Sequence, residues 1–350
     1  MAFIVLILIY CVLIQALLFG FFMLKENNSK IIETHFISVI IPVRNETVIT
    51  DLSKLDYPSD KYEVIIVDDS DEPLQLSSTT LRSPSPGKKA AITAGVAAAK
   101  GEIIVTTDAD CQVTSQWLSE INKGFQKPSI KMLVGGVRIQ EGQSLFSRLQ
   151  ALEFVSVAIT GAATLALGFP TMCNGANLAY RKDAFLAVGG YQGNERITSG
   201  DDEFLMNKFN KNSIRYLYST DSLVTSSPHH LLTSFLSQRL RWAGKWTVNT
   251  SIATRIFAVV VWLFHLGFIV MALSAVFGVI PLKLFAILAG AKAFVETLLL
   301  LPAANFYRVR WRWITFLCLQ FVYSFYVIYT GFMSQILLQK WKGRAVETKV

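Results

Sequence analysis

Ile103-Ile104-Val105-Thr106-Thr107-Asp108-Ala109-Asp110 is an uncharged run that stops on two carboxylates. A short apolar run closed by polar residues reads as a buried strand. In extended backbone, residues two apart point to the same side, so Asp108 and Asp110 converge on one hard cation. Two carboxylates leave room in a magnesium or manganese shell for water and diphosphate oxygens. The plainer reading is a solvated loop that caps the next turn. The position directly after a strand favours the metal.

Outward from this strand the pattern repeats. Residues 36–43 are apolar on both faces, and residues 62–67 form a second such run that ends in Asp68-Asp69-Ser70. Residues 71–86 are rich in Ser, Pro and Thr and read as loop. Pro86-Gly87-Lys88 then opens an Ala-rich helix to about Lys100, and residues 132–139 give a further strand. Strands alternating with helices predict an α/β fold with a mainly parallel, doubly wound sheet and helices on both faces. Ligands of such sheets bind beyond the carboxyl ends of the strands. Asp69, Asp108 and Asp110 all fall there. A carboxylate at Asp69 suits the imide hydrogen of a uracil, although strand-end Asp residues equally cap turns.

The 350-residue chain divides by composition. Residues 1–24, 256–282 and 313–339 contain no Asp, Glu, Lys or Arg, and each exceeds the ~20 residues that cross a bilayer core. A fourth apolar stretch, 284–302, carries Lys292 and Glu296 one helical turn apart, where they can pair and lower the cost of insertion. Residues 1–24 read as an anchor rather than a cleaved signal, because the apolar run is long and neither a basic start nor a cleavage site flanks it. Lys25 and Lys30 place its C-terminal side in the cytosol. The predicted organisation is therefore an anchor at 1–24, a cytosolic catalytic domain at 31–228, an amphipathic interfacial helix at 229–250, about three spans within 254–339 and a basic tail at 340–350.

The net charge of +8 does not signal nucleic acid. The basic residues gather beside apolar segments (Arg308, Arg310, Arg312, then Lys340, Lys342, Arg344), as contact with anionic lipid headgroups requires. Cys11, Cys111, Cys173 and Cys318 form no CxxC, which excludes a disulfide framework and a zinc site and fits a reducing compartment.

Two downstream groups carry chemistry. Asp201-Asp202 follows Gly200; adjacent carboxylates raise one another's pKa, which makes one a better base for a hydroxyl. Taken alone, the pair also fits the first turn of a helix. Gln238-Arg239-Leu240-Arg241-Trp242 lies on the amphipathic helix. Arg241 suits a diphosphate and Trp242 a sugar ring or lipid headgroup; interfacial anchoring is the alternative use of both.

In order, the chain carries Ile41-Pro42-Val43-Arg44-Asn45-Glu46, Val67-Asp68-Asp69-Ser70, Gly87-Lys88, Asp108-Ala109-Asp110, Asn174-Gly175-Ala176-Asn177 with Arg181, Gly200-Asp201-Asp202 and Gln238-x-x-Arg241-Trp242. Over about residues 36–246 this order resembles the membrane-bound family 2 glycosyltransferases, the group containing cellulose, chitin and hyaluronan synthases and ceramide glucosyltransferase. The resemblance implies a GT-A fold and an inverting transfer from a UDP- or GDP-sugar with Mg2+ or Mn2+. By motif match, Val43, Glu46 and Asp69 would contact the nucleotide base, with Lys88 near the phosphates. Asp108 and Asp110 would hold diphosphate and metal, Asp202 would be the base, and Asn177 would lie on the acceptor side. Gln238, Arg241 and Trp242 would close over diphosphate and acceptor.

The base motif reads Gly-Asp-Asp, not the Thr-Glu-Asp of cellulose synthases, and is closer to the hyaluronan type. No extended gating loop follows Trp242 and only three apolar spans do, so transfer of one sugar to a membrane lipid fits better than a processive polysaccharide synthase. Intact carboxylates argue against a non-catalytic membrane protein that kept the fold. Topology holds a conflict: three crossings after a cytosolic domain put the basic tail outside, where basic residues are disfavoured. The Arg308–Arg312 cluster favours a cytosolic loop there and four spans in all.

Overall fold

The computed structural model describes residues 1–26, 29–46, 49–74, 80–195, 197, 200–247, 251–337, 340–341 and 344–345. Most of the expected basic tail and the centre of the 71–86 loop lie outside the described residues. After helix α1 (Ala2–Met23) come β1 (Ile37–Val43), β2 (Tyr62–Asp68), β3 (Thr80–Arg82), α2 (Lys88–Ala98), β4 (Ile103–Thr106) and α3 (Trp117–Gly124). Then follow β5 (Met132–Gly135), β6 (Val137–Ile139), α4 (Leu145–Ala166), β7 (Leu178–Arg181), α5 (Lys182–Ala187), α6 (Glu203–Met206), β8 (Ile214–Leu217) and β9 (Val224–Ser226). The chain ends in α7 (Leu232–Ala243), α8 (Ile252–Val276), α9 (Leu282–Phe306) and α10 (Trp313–Ile336).

A seven-stranded sheet runs β3-β2-β1-β4-β7-β5-β8. β1 is parallel to both β2 and β4, with Val43 opposite Asp68 and Ile40 opposite Thr106. β1 and β2 therefore end level and β4 stops three residues earlier, and because all three run the same way the acidic residues after β2 and β4 open on one edge. β7 is antiparallel to both β4 and β5, so the sheet is mainly rather than wholly parallel. β6 and β9 form a small parallel ribbon beside it.

β1 has two buried faces because helices cover both. On one side α2 brings Ile92 and Val96 against Ile40 and Ile104. Gly95 makes that approach possible: a Cβ there would stand 2.7 Å from Ile40 Cγ2. On the other side Ile41 and Val105 meet Trp117 and Phe125, and this core continues without a break into α1, α4 and α9. Each such side chain contributes about 1.5–3 kcal/mol when fully buried.

α1, α8, α9 and α10 are long and apolar enough to cross a membrane. Their outward faces carry exposed side chains such as Leu8, Leu263, Phe294 and Phe321. The helices start and stop within a few residues of the expected spans, and Lys292 pairs with Glu296 at 2.7 Å inside α9. α4 meets the same length and apolarity criteria, yet 67% of its most apolar window is buried, against 33% or less for the other four. It packs between the sheet and α1, α9 and α10.

Candidate active site

The turn after β2 shows how the sequence builds the edge. Asp68 accepts from the Ser70 and Leu74 amides at 2.9 Å and from Arg82 Nη1 at 2.6 Å. Burial opposes its charge, but these donors hold the carboxyl below its ordinary value. It is a loop clamp. Asp69 accepts from the Gly87 amide at 3.0 Å and so ties β2 to the start of α2. Gly87 adopts φ 119°, which an L side chain rarely takes.

That anchoring aims Lys88, the first residue of α2, over the edge of β4. Its Nζ lies 2.7 Å from Asp108 Oδ1 and 3.2 Å from Asp201 Oδ2. Burial works against the ammonium charge, yet Asp108 and Asp201 outweigh it and hold the pKa above its ordinary value. Ligand atoms of Asp108, Asp110 and Cys111 all lie within 4.8 Å of one another. The Cys111 thiol is pushed up by burial and by both carboxylates, so it stays neutral. The two Asp side chains alone offer the hard oxygen set that Mg2+ or Mn2+ takes, and the donor set fits such an ion.

Asp201 and Asp202 face different partners. Asp201 meets Lys88; burial raises its carboxyl above the ordinary value, with Lys88 opposing and Asp202 and Asp108 adding. Asp202 accepts from the Glu203 amide at 2.7 Å and the Gly175 amide at 3.1 Å, and lies 3.9 Å from Lys245 Nζ. Burial again opposes ionisation, but Lys245 and the two amides win and hold this carboxyl below its usual value. The expectation that one of the pair is raised is met at Asp201, not at Asp202. Asp202 also caps the short α6, so the pair does sit at the first turn of a helix.

A cavity of about 500 Å3 unites most of these groups. Its walls include Glu46, Lys88, Asp108, Asp110, Asp201 and Asp202, and Gln238, Arg241 and Trp242 from α7. Burial lowers the Arg241 guanidinium somewhat; among the described residues no carboxylate pairs with it. α7 is held from behind. Arg239 Nη2 lies 2.5 Å from Glu153 Oε2 and Tyr326 donates to Glu153 Oε1 at 3.1 Å. The guanidinium also stacks 4.4 Å from the Trp242 ring.

Three expected residues stand elsewhere. Val43 and Asp69 are 1% and 5% exposed and are not part of the cavity wall. Asn177 departs most from expectation. It is 2% exposed, donates to the Gly136 and Ser222 carbonyls at 2.8 and 2.9 Å, and accepts from Trp117 Nε1 at 3.0 Å. Those bonds use three of its four sites, so its work is to brace β5 and α3, not to meet an acceptor. Conversely, sequence reasoning passed over Lys245, Glu203 and Glu153 as site residues. Lys245 is one helical turn beyond Arg241, a spacing that signals a shared face; Glu203 and Glu153 leave no such signal.

The family model described as glycosyl transferase family 21 matches residues 73–349. The chain is similar to glycosyltransferase AglE of Haloferax volcanii, with 25% identity over 191 residues, covering 47% of this chain. The match spans only 59% of that relative's length. Among solved structures it is similar to the mannosyltransferase PcManGT of Pyrobaculum calidifontis, solved with GDP-Man and Mn2+. The TM-score is 0.53 at 16% identity, covering 96% of each chain. The fold is thus GT-A-like.

Proposed function

The chain belongs to glycosyl transferase family 21, and we propose that it transfers a sugar, with inversion, from a nucleotide diphosphate donor to the hydroxyl of a membrane lipid. The observation that carries this reading is the division of labour across Asp201 and Asp202. Asp201, Lys88 and Asp108 form one hydrogen-bonded and ionic cluster on the donor side. Asp202 lines the same cavity but takes the Glu203 and Gly175 amides and lies 3.9 Å from Lys245, a residue that also borders the space among the membrane helices.

The donor diphosphate lies between the Asp108–Asp110 pair and Arg241, whose charge lacks a carboxylate partner among the described residues. Asp108 and Asp110 would hold a divalent ion, which when bound would neutralise the leaving diphosphate. Gln238 and Trp242 close the cavity and exclude water. The acceptor oxygen attacks the anomeric carbon, the bond from that carbon to the β-phosphate oxygen breaks, and Asp202 takes the hydroxyl proton. Lys245 and two amides hold Asp202 ionised at neutral pH, which makes it a weaker base than Asp201 but keeps it in the form that accepts a proton. Lys25 and Lys30 favour a cytosolic position for this chemistry, where nucleotide sugars are made.

The test is a panel of UDP- and GDP-sugars with native lipid extract and the full-length protein, read by mass spectrometry. A glycolipid one hexose heavier than its lipid is expected; a high-mass polymer as main product overturns the single-transfer reading. Asp202→Asn should abolish transfer while nucleotide binding survives, and near-normal turnover would refute its role as base.

A further inference from the structure

A second cavity, about 640 Å3, lies among α1, α4, α8, α9 and α10. Its size falls within the roughly 300–1,000 Å3 of ligand pockets. Most of its wall is hydrocarbon, from residues such as Leu13, Ile14, Leu17, Phe257 and Leu299. It shares a partition with the polar cavity: Met172, Glu203, Trp242 and Lys245 line both. On the other flank it is bordered by Val259, Leu263 and Phe332, whose side chains are 39%, 52% and 58% exposed on the apolar outer surface.

At its far end the apolar wall gives way to a polar cluster. Lys292 Nζ lies 2.7 Å from Glu296 Oε1 and donates to Gln320 Oε1 at 2.8 Å. Gln320 Nε2 donates to Glu296 Oε2 at 2.6 Å, and Tyr10 donates to Glu296 Oε1. All four line the cavity, and Lys292 is 1% exposed. Ionisable groups inside membrane helices are costly and by default mark a function. This pair neutralises itself, so it suits an uncharged hydrogen-bonding group and offers no net charge to a phosphate.

We propose that this chamber is the acceptor subsite: it takes the hydrocarbon of the lipid, and the Lys292–Glu296–Gln320–Tyr10 cluster binds an uncharged polar group remote from the hydroxyl that reaches Asp202. The assignment rests on the lipid-acceptor reading above and goes beyond it by naming where the lipid is read. The acceptor enters between α8 and α10, passes its reacting end by Trp242 and Lys245, and leaves its second polar group at the cluster.

The experiment uses the full-length protein in phosphatidylcholine vesicles with a diazirine-tagged long-chain N-acyl amino alcohol, and the same tag on a polyprenyl phosphate. Expected adducts from the uncharged probe map to residues 257–263 and 327–335, at least five-fold above the phosphate probe. Lys292→Met/Glu296→Met, which removes both charges together, should cut that labelling at least five-fold. It should raise the KM for native acceptor lipid at least ten-fold while nucleotide-sugar affinity by calorimetry stays within two-fold. Thr160→Phe fills the chamber from α4 without touching the cluster and should do the same, which separates lost binding from lost folding. Adducts elsewhere, stronger labelling by the phosphate probe, or unchanged acceptor KM in both variants overturns the subsite. Failure of the wild-type protein to glycosylate any lipid overturns the lipid-acceptor reading instead.

Discussion

Lys88 Nζ stands between two carboxylates from distant parts of the chain, 2.7 Å from Asp108 Oδ1 and 3.2 Å from Asp201 Oδ2. The ammonium binds the strand-end pair to the later acidic motif, so this cluster is assembled before any ligand arrives. Lys88→Met leaves both carboxylates without their cation where the proposed donor diphosphate would bind. Removal of one preorganised charge of this kind costs about 100- to 1,000-fold. Steady-state kinetics should show that loss in kcat/KM for the nucleotide sugar, and a fall under five-fold would remove Lys88 from the donor site.

Asp201→Asn has an effect on stability opposite to its effect on activity. The folded pKa of Asp201 is raised, chiefly by burial, so the native state binds its proton more tightly than the unfolded chain. Stability from this group is present at low pH and lost as pH rises from the unfolded value, about 3.9, through the raised folded value. A neutral amide escapes that loss. The expected result is a melting temperature at pH 7.5 equal to or above wild type, with transfer reduced at least ten-fold. A clear fall in melting temperature would contradict the burial argument.

The pH profile separates the two acids. Asp202 is held below its ordinary value; the stability it supplies is present above the unfolded pKa of about 3.9 and lost only as pH falls through its lower folded value. In the proposed role of base it is therefore ionised throughout the neutral range. kcat/KM should show no acid limb between pH 5.5 and 7.5 in initial rates with saturating metal, and a limb in that range that shifts in Asp202→Glu would overturn the assignment.

Chelation tests the strand-end pair. EDTA should abolish transfer, and Mn2+ or Mg2+ should restore it. Asp110→Ala removes one of the two hard ligands that the chain supplies and should raise the activating metal concentration about 10- to 100-fold, read from metal titrations of initial rate. Full activity in EDTA-treated protein rules out the ion.

Glu153 and Arg239 are 3% and 4% exposed and contact each other at 2.5 Å. Breaking such a buried pair costs roughly 3–5 kcal/mol, whereas replacing both partners by apolar groups is often nearly neutral. Glu153→Leu should therefore destabilise the protein far more than Glu153→Leu/Arg239→Met does, measured by thermal unfolding in detergent. Because Arg239 stacks on Trp242, the single variant should also raise the donor KM.

Much of the fold was legible where local chemistry and tertiary role coincide. The runs at 36–43, 62–67 and 103–107 are apolar on both faces because helices cover both, and their acidic ends share an edge because the three strands run parallel. Lys292 and Glu296 announced their pairing by spacing alone. β7 was not legible: four residues give no sign that they run against both neighbours. Asn177 misled for a similar reason. The resemblance implies an acceptor-side residue, but three of its four bonding sites are taken by Gly136, Trp117 and Ser222, which no local spacing connects. Glu153 sits on a helix whose sequence reads as packing, and only the fold brings Arg239 to it.

The sheltering of α4 bears on how the insertion of this protein is studied. Hydropathy alone counts α4 as a fifth crossing, which would reverse the assigned side of every later loop. Reporter fusions that end shortly after Ala166 would lack α9 and α10, the segments that screen this helix from lipid. Such a shortened product has an apolar surface that the complete polypeptide does not expose, and the translocon reads that surface. Side assignments for this protein therefore belong to sandwich fusions or single-cysteine labelling in the intact chain.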